Sequence, residues 1–125
     1  METSVMTPKQ KHINALEQLA RHFLYKIDGE KVNQALQKLE KRTHHLSEAY
    51  CNGEITNSRW SAHCSYVKKR VADLFGFEIP GFFVNGDPRG HALKIDDNVE
   101  RNLLQTHGIY FQRDWGGYAL LAPEL

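Results

Sequence analysis

Apolar residues recur at helical spacing along the first 75 positions of the chain. The first stretch has them at steps of three and four, at Ile13, Leu16, Ala20, Phe23 and Ile27. This spacing predicts one apolar face of a helix. Thr7-Pro8-Lys9-Gln10 is typical of its start, since threonine caps the first amides and proline fits the first turn. We expect the helix to end at Asp28-Gly29, because glycine tolerates a left-handed helix exit.

A second stretch carries a heptad pattern. Its seam, with alternating steps of four and three, consists of Val32, Leu36, Leu39, Thr43, Leu46 and Tyr50. Asn52-Gly53 is the expected stop. The pattern predicts an antiparallel hairpin with the first helix, which would cover the seam within one chain. A coiled coil between two copies is the alternative, so the expected state is a monomer or a homodimer through the helices.

A third helix is predicted from Thr56 to Gly76, where threonine caps the start and glycine permits the exit. The residues predicted for its buried face are Trp60, Cys64, Val67, Val71 and Leu74. Pro80 prevents the helix from resuming, because proline lacks an amide hydrogen and clashes with the preceding turn.

After Pro80 the pattern alternates, as in strands. Strands are predicted at 82–84, 91–95, 109–112 and 118–122, with a short helix at 97–104. The segment DPRGHAL (87–93) aligns with DWGGYAL (114–120). We interpret this match as one hairpin device used twice, in which aspartate binds backbone amides and glycine takes the positive φ that closes the turn.

These elements predict an α+β fold in one domain over residues 1–125. Three N-terminal helices pack on a small antiparallel sheet of about four strands, arranged as two hairpins with one short inserted helix. Residues 1–6 are expected to be flexible, 7–75 form the helical part and 81–125 the β-hairpin part. A chain of 125 residues is a usual length for a single domain.

Composition narrows the class of protein only a little. The net charge is +1, with 41% hydrophobic and 25% charged residues. No apolar run approaches the ~18 residues of a membrane helix, and METSVMTPKQK lacks the apolar centre of a secretory signal. We therefore expect a cytoplasmic protein without membrane partners, in which Cys51 and Cys64 stay thiols.

Catalytic and metal sites have weak support in the sequence. Asp87, Arg89 and His91 would supply an anion site and a base, so a small enzyme with a site at the first hairpin turn is one alternative. Turns are built from these same residue types, which favours a structural role. His44 and His45 are adjacent and point apart on a helix. No metal-ligand spacing or nucleotide-binding glycine pattern occurs, so no metal or cofactor is expected.

Basic residues line one flank of each of two predicted helices. Lys38 and Arg42 lie on the second helix, and Arg59 and Arg70 on the third. If the two flanks were adjacent, they would form a basic surface together with Tyr66. A small nucleic-acid-binding module is therefore a second alternative. The competing interpretation is that basic side chains cover the edges of an apolar seam while their charges stay in water.

The segment NGDPRGHALKI (85–95), with WGGYALLAPEL (115–125) downstream, resembles small bacteriophage and prophage proteins of unknown function. The residues that carry the resemblance are Asp87, Pro88, Arg89, Gly90, Ala92 and Leu93. It implies a non-enzymatic accessory protein, acting in the host cytoplasm, that binds a host protein or ribonucleoprotein complex. An inhibitor of a bacterial defence system, against CRISPR effectors or restriction enzymes, is the corresponding expectation. A weak nucleic-acid contact is a further partner expectation.

Such a protein needs an exposed contact surface. Aromatic and arginine side chains dominate the energetics of protein interfaces. The residues predicted for the partner-binding surface are Asp87, Arg89, Tyr110 and Trp115.

Overall fold

The chain forms a mixed structure of helices and strands, and the structure, a computed structural model, describes residues 7–108, 113–114 and 117–119. The helices are α1 (Pro8–His22), α2 (Gly29–Cys51), α3 (Asn57–Phe75) and α4 (Asp97–His107). The strands are β1 (Phe82–Val84), β2 (Leu93–Ile95), β3 (Arg113–Asp114) and β4 (Gly117–Ala119). The predicted mixed class with three main N-terminal helices is confirmed. The segment 1–6, predicted to be flexible, lies outside the described residues.

The first helix begins as predicted but ends earlier. The Thr7 side chain accepts a hydrogen bond from the amide of Gln10 at 3.1 Å, as a capping residue does. The helix stops at Phe23, so the predicted end at 28–29 is wrong. The rings of Phe23 and Tyr25 instead pack against Phe77, with centroid distances of 4.8 and 5.1 Å. Aromatic packing beyond α3 therefore takes these residues out of the helix.

Asp28 and Gly29 begin the second helix instead of ending the first. The Asp28 side chain accepts from the amide of Lys31 and is the N-cap of α2. Gly29 is buried against α1, and a Cβ atom built there would lie 2.7 Å from Glu17 Cγ and 2.8 Å from Ile13 Cγ2. This glycine is therefore required for the close approach of α1 and α2, not for a left-handed exit.

The heptad seam of α2 is covered within the chain, as the helical hairpin predicted. Its buried members are Val32, Leu36, Leu39 and Thr43. The same core contains Leu16 and Leu19 of α1 and Val67 and Val71 of α3. Burying a leucine as fully as Leu36 stabilises a fold by roughly 1.5–3 kcal/mol. The α2 helix is thus the central helix, packed between α1 and α3.

The third helix has the predicted ends and a different buried face. Thr56 caps its start, and Gly76 ends it in the left-handed region at φ 91°. The buried residues are Trp60, His63, Val67, Val71 and Phe75. Leu74 is half-buried and packs against the core, as its predicted place on this face requires, whereas Cys64 is half-buried and does not belong to the core, so its predicted place is wrong. His63 takes the buried position because Thr43 of α2 offers its ring a hydrogen-bond partner.

The first predicted hairpin is present as an antiparallel pair, β1 with β2. Its register places Phe82 opposite Ile95 and Val84 opposite Leu93. β2 begins at Leu93, so the prediction that the strand starts at His91 is wrong. All three β2 residues are buried, including Lys94, and the strand is therefore covered on both faces.

β4 pairs with β2 and with β3, both antiparallel, which gives the strand order β1-β2-β4-β3 for the described residues. Arg113, Asp114 and Gly117 lie in these strands, so the prediction that residues 113–117, between the predicted strands 109–112 and 118–122, form the second turn has the wrong bounds. Most residues of the predicted strands 109–112 and 118–122 lie outside the described part. Two full-length hairpins therefore stay a prediction.

The two aligned segments do not share one hairpin geometry. Asp114 pairs with Gly117 in a strand ladder, whereas Asp87 lies in the longer connection between β1 and β2. The Asp87 side chain does accept from a backbone amide ahead of it, that of Arg89 at 3.0 Å, as predicted. The predicted positive φ of Gly90 is wrong. Asn85 also holds the connection, since its amide donates to the carbonyls of Asp87 and His91 and its oxygen accepts from the Asp87 amide.

Candidate nucleic-acid interface

A groove lies between the exposed flanks of α2 and α3 and encloses about 350 Å³. The described residues that line it are Lys31, Gln34, Ala35, Lys38, Leu39, Arg42, Tyr66 and Arg70. They include no aspartate or glutamate. The two basic flanks predicted from the sequence are therefore adjacent, and they form the walls of this basic groove.

Helical spacing explains why these side chains share the groove. Lys38 and Arg42 are four positions apart on α2, and Tyr66 and Arg70 are four apart on α3, so each pair lies on one helix stripe. The neighbouring apolar stripes of both helices are buried in the core and fix the crossing of the helices. The same packing that buries the seam therefore turns both basic stripes toward one groove.

The groove cations have no carboxylate partner among the described residues. Within the described part of the chain, no ion pair involves Lys31, Lys38, Arg42 or Arg70. Arg59, the remaining predicted nucleic-acid-binding residue, does not line the groove, but its charge acts on His63 together with that of Arg42. The groove is thus a local concentration of positive charge on a chain whose net charge is only +1.

His63 lies behind the groove, in the interface of α2 with α3. Its Nε2 atom is 2.9 Å from the Thr43 hydroxyl, and both side chains are buried. Burial lowers the pKa of His63 from its ordinary value, and the charges of Arg42 and Arg59 lower the pKa further. A neutral imidazole adds no positive charge to the groove, but it gives the neighbouring Tyr66 ring an aromatic support at 6.2 Å.

The predicted partner-binding turn is ordered by its own side chains. Asp87 accepts from the Arg89 guanidinium at two positions, at 3.0 Å from Nε and 2.6 Å from Nη2. These hydrogen bonds, with one from the Arg89 amide, lower the pKa of Asp87 to about 2. His44 Nε2 donates to the Pro88 carbonyl at 2.6 Å, which ties the turn to α2. Tyr110 and Trp115 lie outside the described residues.

Of the predicted catalytic trio, the structure pairs Asp87 with Arg89 and places a different carboxylate, that of Glu40, opposite the His91 ring. Asp87 is engaged by Arg89, whereas His91 Nδ1 faces Glu40 Oε2 at 3.8 Å. Glu40 is buried on α2 and accepts from the amides of Ala92 at 2.7 Å and Leu93 at 3.1 Å. Sequence reasoning missed this carboxylate, because its partners lie more than fifty positions away in the chain.

Comparisons with known proteins identify no relative. No protein-family model matches the chain, and no curated protein or solved structure matches it either. Among the helices of the described residues, none combines the length and the hydropathy needed to cross a membrane.

Proposed function

We propose that this protein binds nucleic acid in the basic groove between α2 and α3. The observation that carries the proposal is the convergence of Lys31, Lys38, Arg42 and Arg70 around a half-exposed tyrosine, with no ion pair to these four among the residues that the structure describes. Unpaired lysine and arginine side chains are the groups that neutralise phosphates. The function is binding and not catalysis.

The number of cations sets the expected salt dependence. About four phosphate contacts give a slope of log K against log salt near −3 for a single strand. Affinity would then fall ~50-fold between 50 and 200 mM salt. The measurement is fluorescence anisotropy of a labelled mixed-sequence oligonucleotide across this range.

A matched pair of double variants tests the groove itself. Lys38→Ala with Arg42→Ala removes two groove charges, and Lys9→Ala with Lys11→Ala removes two exposed charges from α1. We expect the groove variant to lose at least tenfold in affinity with a shallower salt slope, and the α1 variant to bind like the wild type. Equal affinities of the two variants, or no binding by the wild type at 50 mM salt, would remove the proposal.

The second candidate is a phage-type accessory protein that docks on a host protein or ribonucleoprotein complex. It is supported by the preorganised turn, in which the Arg89 side chain is 79% exposed while Asp87, Asn85 and His44 fix its backbone. Preorganisation reduces the entropy lost on docking. The resemblance to phage proteins suggests what the docking would do: it would inhibit a bacterial defence system.

Two experiments separate this candidate from nucleic-acid binding. A host complex should be captured from nuclease-treated lysate by the wild type and by Arg21→Ala, but not by Arg89→Ala or Trp115→Ala. Expression of the protein should also restore phage plating on a host whose CRISPR or restriction system is active. Equal capture by all four proteins, with unchanged plating, would contradict the candidate.

A further inference from the structure

The basic groove contains one aromatic side chain, Tyr66, which is 50% exposed. Isolated exposed tyrosines are ordinary on protein surfaces. Tyr66 differs because it shares the groove with cations from both helices, Arg42 from α2 and Arg70 one turn further along α3. Three large hydrophobic side chains are exposed among the described residues. The other two, Leu24 and Tyr25, lie between α1 and α2 and do not line the groove.

A row of rings supports Tyr66 from inside the protein. Tyr50 stacks on Trp60 at 5.6 Å, Trp60 lies 6.1 Å from His63, and His63 lies 6.2 Å from Tyr66. Thr43 holds the central ring, His63, by a hydrogen bond. The Tyr66 ring therefore lies beside this packed row of rings, while about half of the residue's surface is exposed to solvent. A supported ring loses little side-chain entropy when a ligand stacks on it.

We propose that the groove prefers single-stranded nucleic acid, with an unpaired base stacked on Tyr66 and the neighbouring phosphates held by Arg42 and Arg70. In a duplex the base faces are covered by stacking and only the phosphates are offered, so Tyr66 would contribute nothing. Every base has a π-face, so this contact carries little sequence preference. The inference rests on the proposed nucleic-acid binding and specifies its ligand.

The length of the groove is sufficient for such a strand. From Lys31 to Arg42 the α2 stripe runs about 16 Å at 1.5 Å per residue, and Tyr66 faces it from α3. One base can therefore stack while phosphates on both sides reach lysine or arginine side chains. A stacked base typically strengthens binding about five- to 150-fold.

The test compares a 12-nucleotide single strand of DNA, the same sequence as RNA, and the corresponding DNA duplex, all by fluorescence anisotropy. The proteins are the wild type, Tyr66→Phe, which keeps the π-face, and Tyr66→Leu, which keeps apolar area without it. We expect the wild type to bind at least one of the two single strands at least fivefold more tightly than the duplex. Tyr66→Leu should lose this advantage, and Tyr66→Phe should keep it.

Binding of the duplex as tightly as both single strands would overturn the inference, as would equal losses for Tyr66→Leu and Tyr66→Phe. If Lys38→Ala with Arg42→Ala still lowers the affinity at least tenfold in that case, the proposed function stands and only the strand preference fails. If the groove charges can be removed without effect, the proposed function and the inference fail together. Tyr66 is half-exposed, so circular dichroism should show that both tyrosine variants keep the fold.

Discussion

The Thr43 hydroxyl lies 2.9 Å from Nε2 of His63, and this buried hydrogen bond joins α2 to α3 beside Arg42. Leaving a buried polar group without its partner costs about 1–3 kcal/mol. We therefore expect Thr43→Val, which keeps the shape and removes the hydroxyl, to lower the free energy of unfolding by about that amount. Urea denaturation at pH 7.5 measures the change.

A double-variant cycle shows whether the hydrogen bond is the cause. In a His63→Leu background the Thr43→Val change should cost much less, because the imidazole that it would leave unpaired is gone. Ser47→Ala is the control, since Ser47 is also buried on α2 but donates to the His44 carbonyl of its own helix. Its cost should be the same with His63 and with His63→Leu. If Thr43→Val costs the same in both backgrounds, packing and not the hydrogen bond explains it.

The pKa of His63 gives stability a pH dependence with a definite sign. Burial first, and then the charges of Arg42 and Arg59, lower this pKa from the ordinary value of 6.5. The unfolded chain therefore takes up a proton more readily than the folded one. This contribution to stability is complete above about pH 6.5 and is lost as the pH falls from there through the lowered pKa.

Two measurements check this dependence. Urea denaturation between pH 7.5 and 5 should show a steeper loss of stability for the wild type than for Thr43→Val with His63→Leu. NMR titration of the His63 ring should give a higher pKa in Arg42→Gln than in the wild type, because one repelling charge is gone. An unchanged pKa in Arg42→Gln would mean that the groove charges do not reach the imidazole.

The sequence predicted which helix stripes are basic, but only the crossing of the helices makes them a site. Lys38 and Arg42 follow from helical spacing on α2, and Tyr66 and Arg70 from the same spacing on α3. That the stripes face each other depends on core packing between residues distant in the chain. Local patterns contain no information about that crossing. The sequence therefore predicts the groove only on the condition that the two helices lie side by side.

Two of the wrong predictions concern adjacent residues whose places are decided by distant partners. His63 and Cys64 point about 100° apart on a helix, and residue type alone favours the cysteine for the core. The Thr43 hydroxyl reverses this choice. Asp28-Gly29 suits a helix end or a helix start, and close packing of Gly29 against Glu17 selects the start. In both cases a contact between helices overrides a local preference.

Glu40 links α2 to the sheet and should be among the most sensitive polar residues. Its buried carboxylate accepts from the amides of Ala92 and Leu93, at the point where the chain enters β2. Hydrogen bonds to charged groups stabilise by about 1.5–3 kcal/mol each. We expect Glu40→Gln, which keeps one acceptor oxygen, to lower the free energy of unfolding by about 1.5–3 kcal/mol in urea.

The control for Glu40→Gln is Glu48→Gln, which changes a glutamate eight positions later on the same helix. Glu48 is exposed and pairs with His44, and exposed pairs contribute about 0–1 kcal/mol. Hydrogen exchange adds a local measurement. The amides of Ala92 and Leu93 should exchange faster in Glu40→Gln than in the wild type, and at the wild-type rate in Glu48→Gln. Equal stability losses for Glu40→Gln and Glu48→Gln would mean that the buried carboxylate does not hold β2.

The pairing of Asp87 with Arg89 lowers the pKa of the Asp87 carboxyl group, which a titration can measure. Hydrogen bonds from the Arg89 side chain, and then from its amide, lower the pKa of Asp87 to about 2. Its contribution to the order of the turn is present above the ordinary pKa of 3.8 and is lost as the pH falls through about 2. In Arg89→Ala the pKa should rise toward 3.8, measured by carbon-13 NMR of the carboxyl. A pKa near 3.8 in the wild type would mean that the pair does not persist in solution.

Close packing, and not backbone conformation, is the reason for the glycine at position 29. A Cβ atom at this position would lie within 2.8 Å of both Glu17 and Ile13, so Gly29→Ala forces α1 and α2 apart and should cost about 1–3 kcal/mol. Gly53→Ala is the comparison, since nothing lies within 4 Å of its Cβ and its φ of 74° is the reason for glycine there. Ile13→Ala with Glu17→Ala removes the atoms that a Cβ at position 29 would meet, so in this background Gly29→Ala should cost less, whereas the cost of Gly53→Ala should not change. Urea denaturation of the two alanine variants, each with and without these changes, measures this difference. If the relieved background does not reduce the Gly29→Ala cost, contact between α1 and α2 is not what requires the glycine.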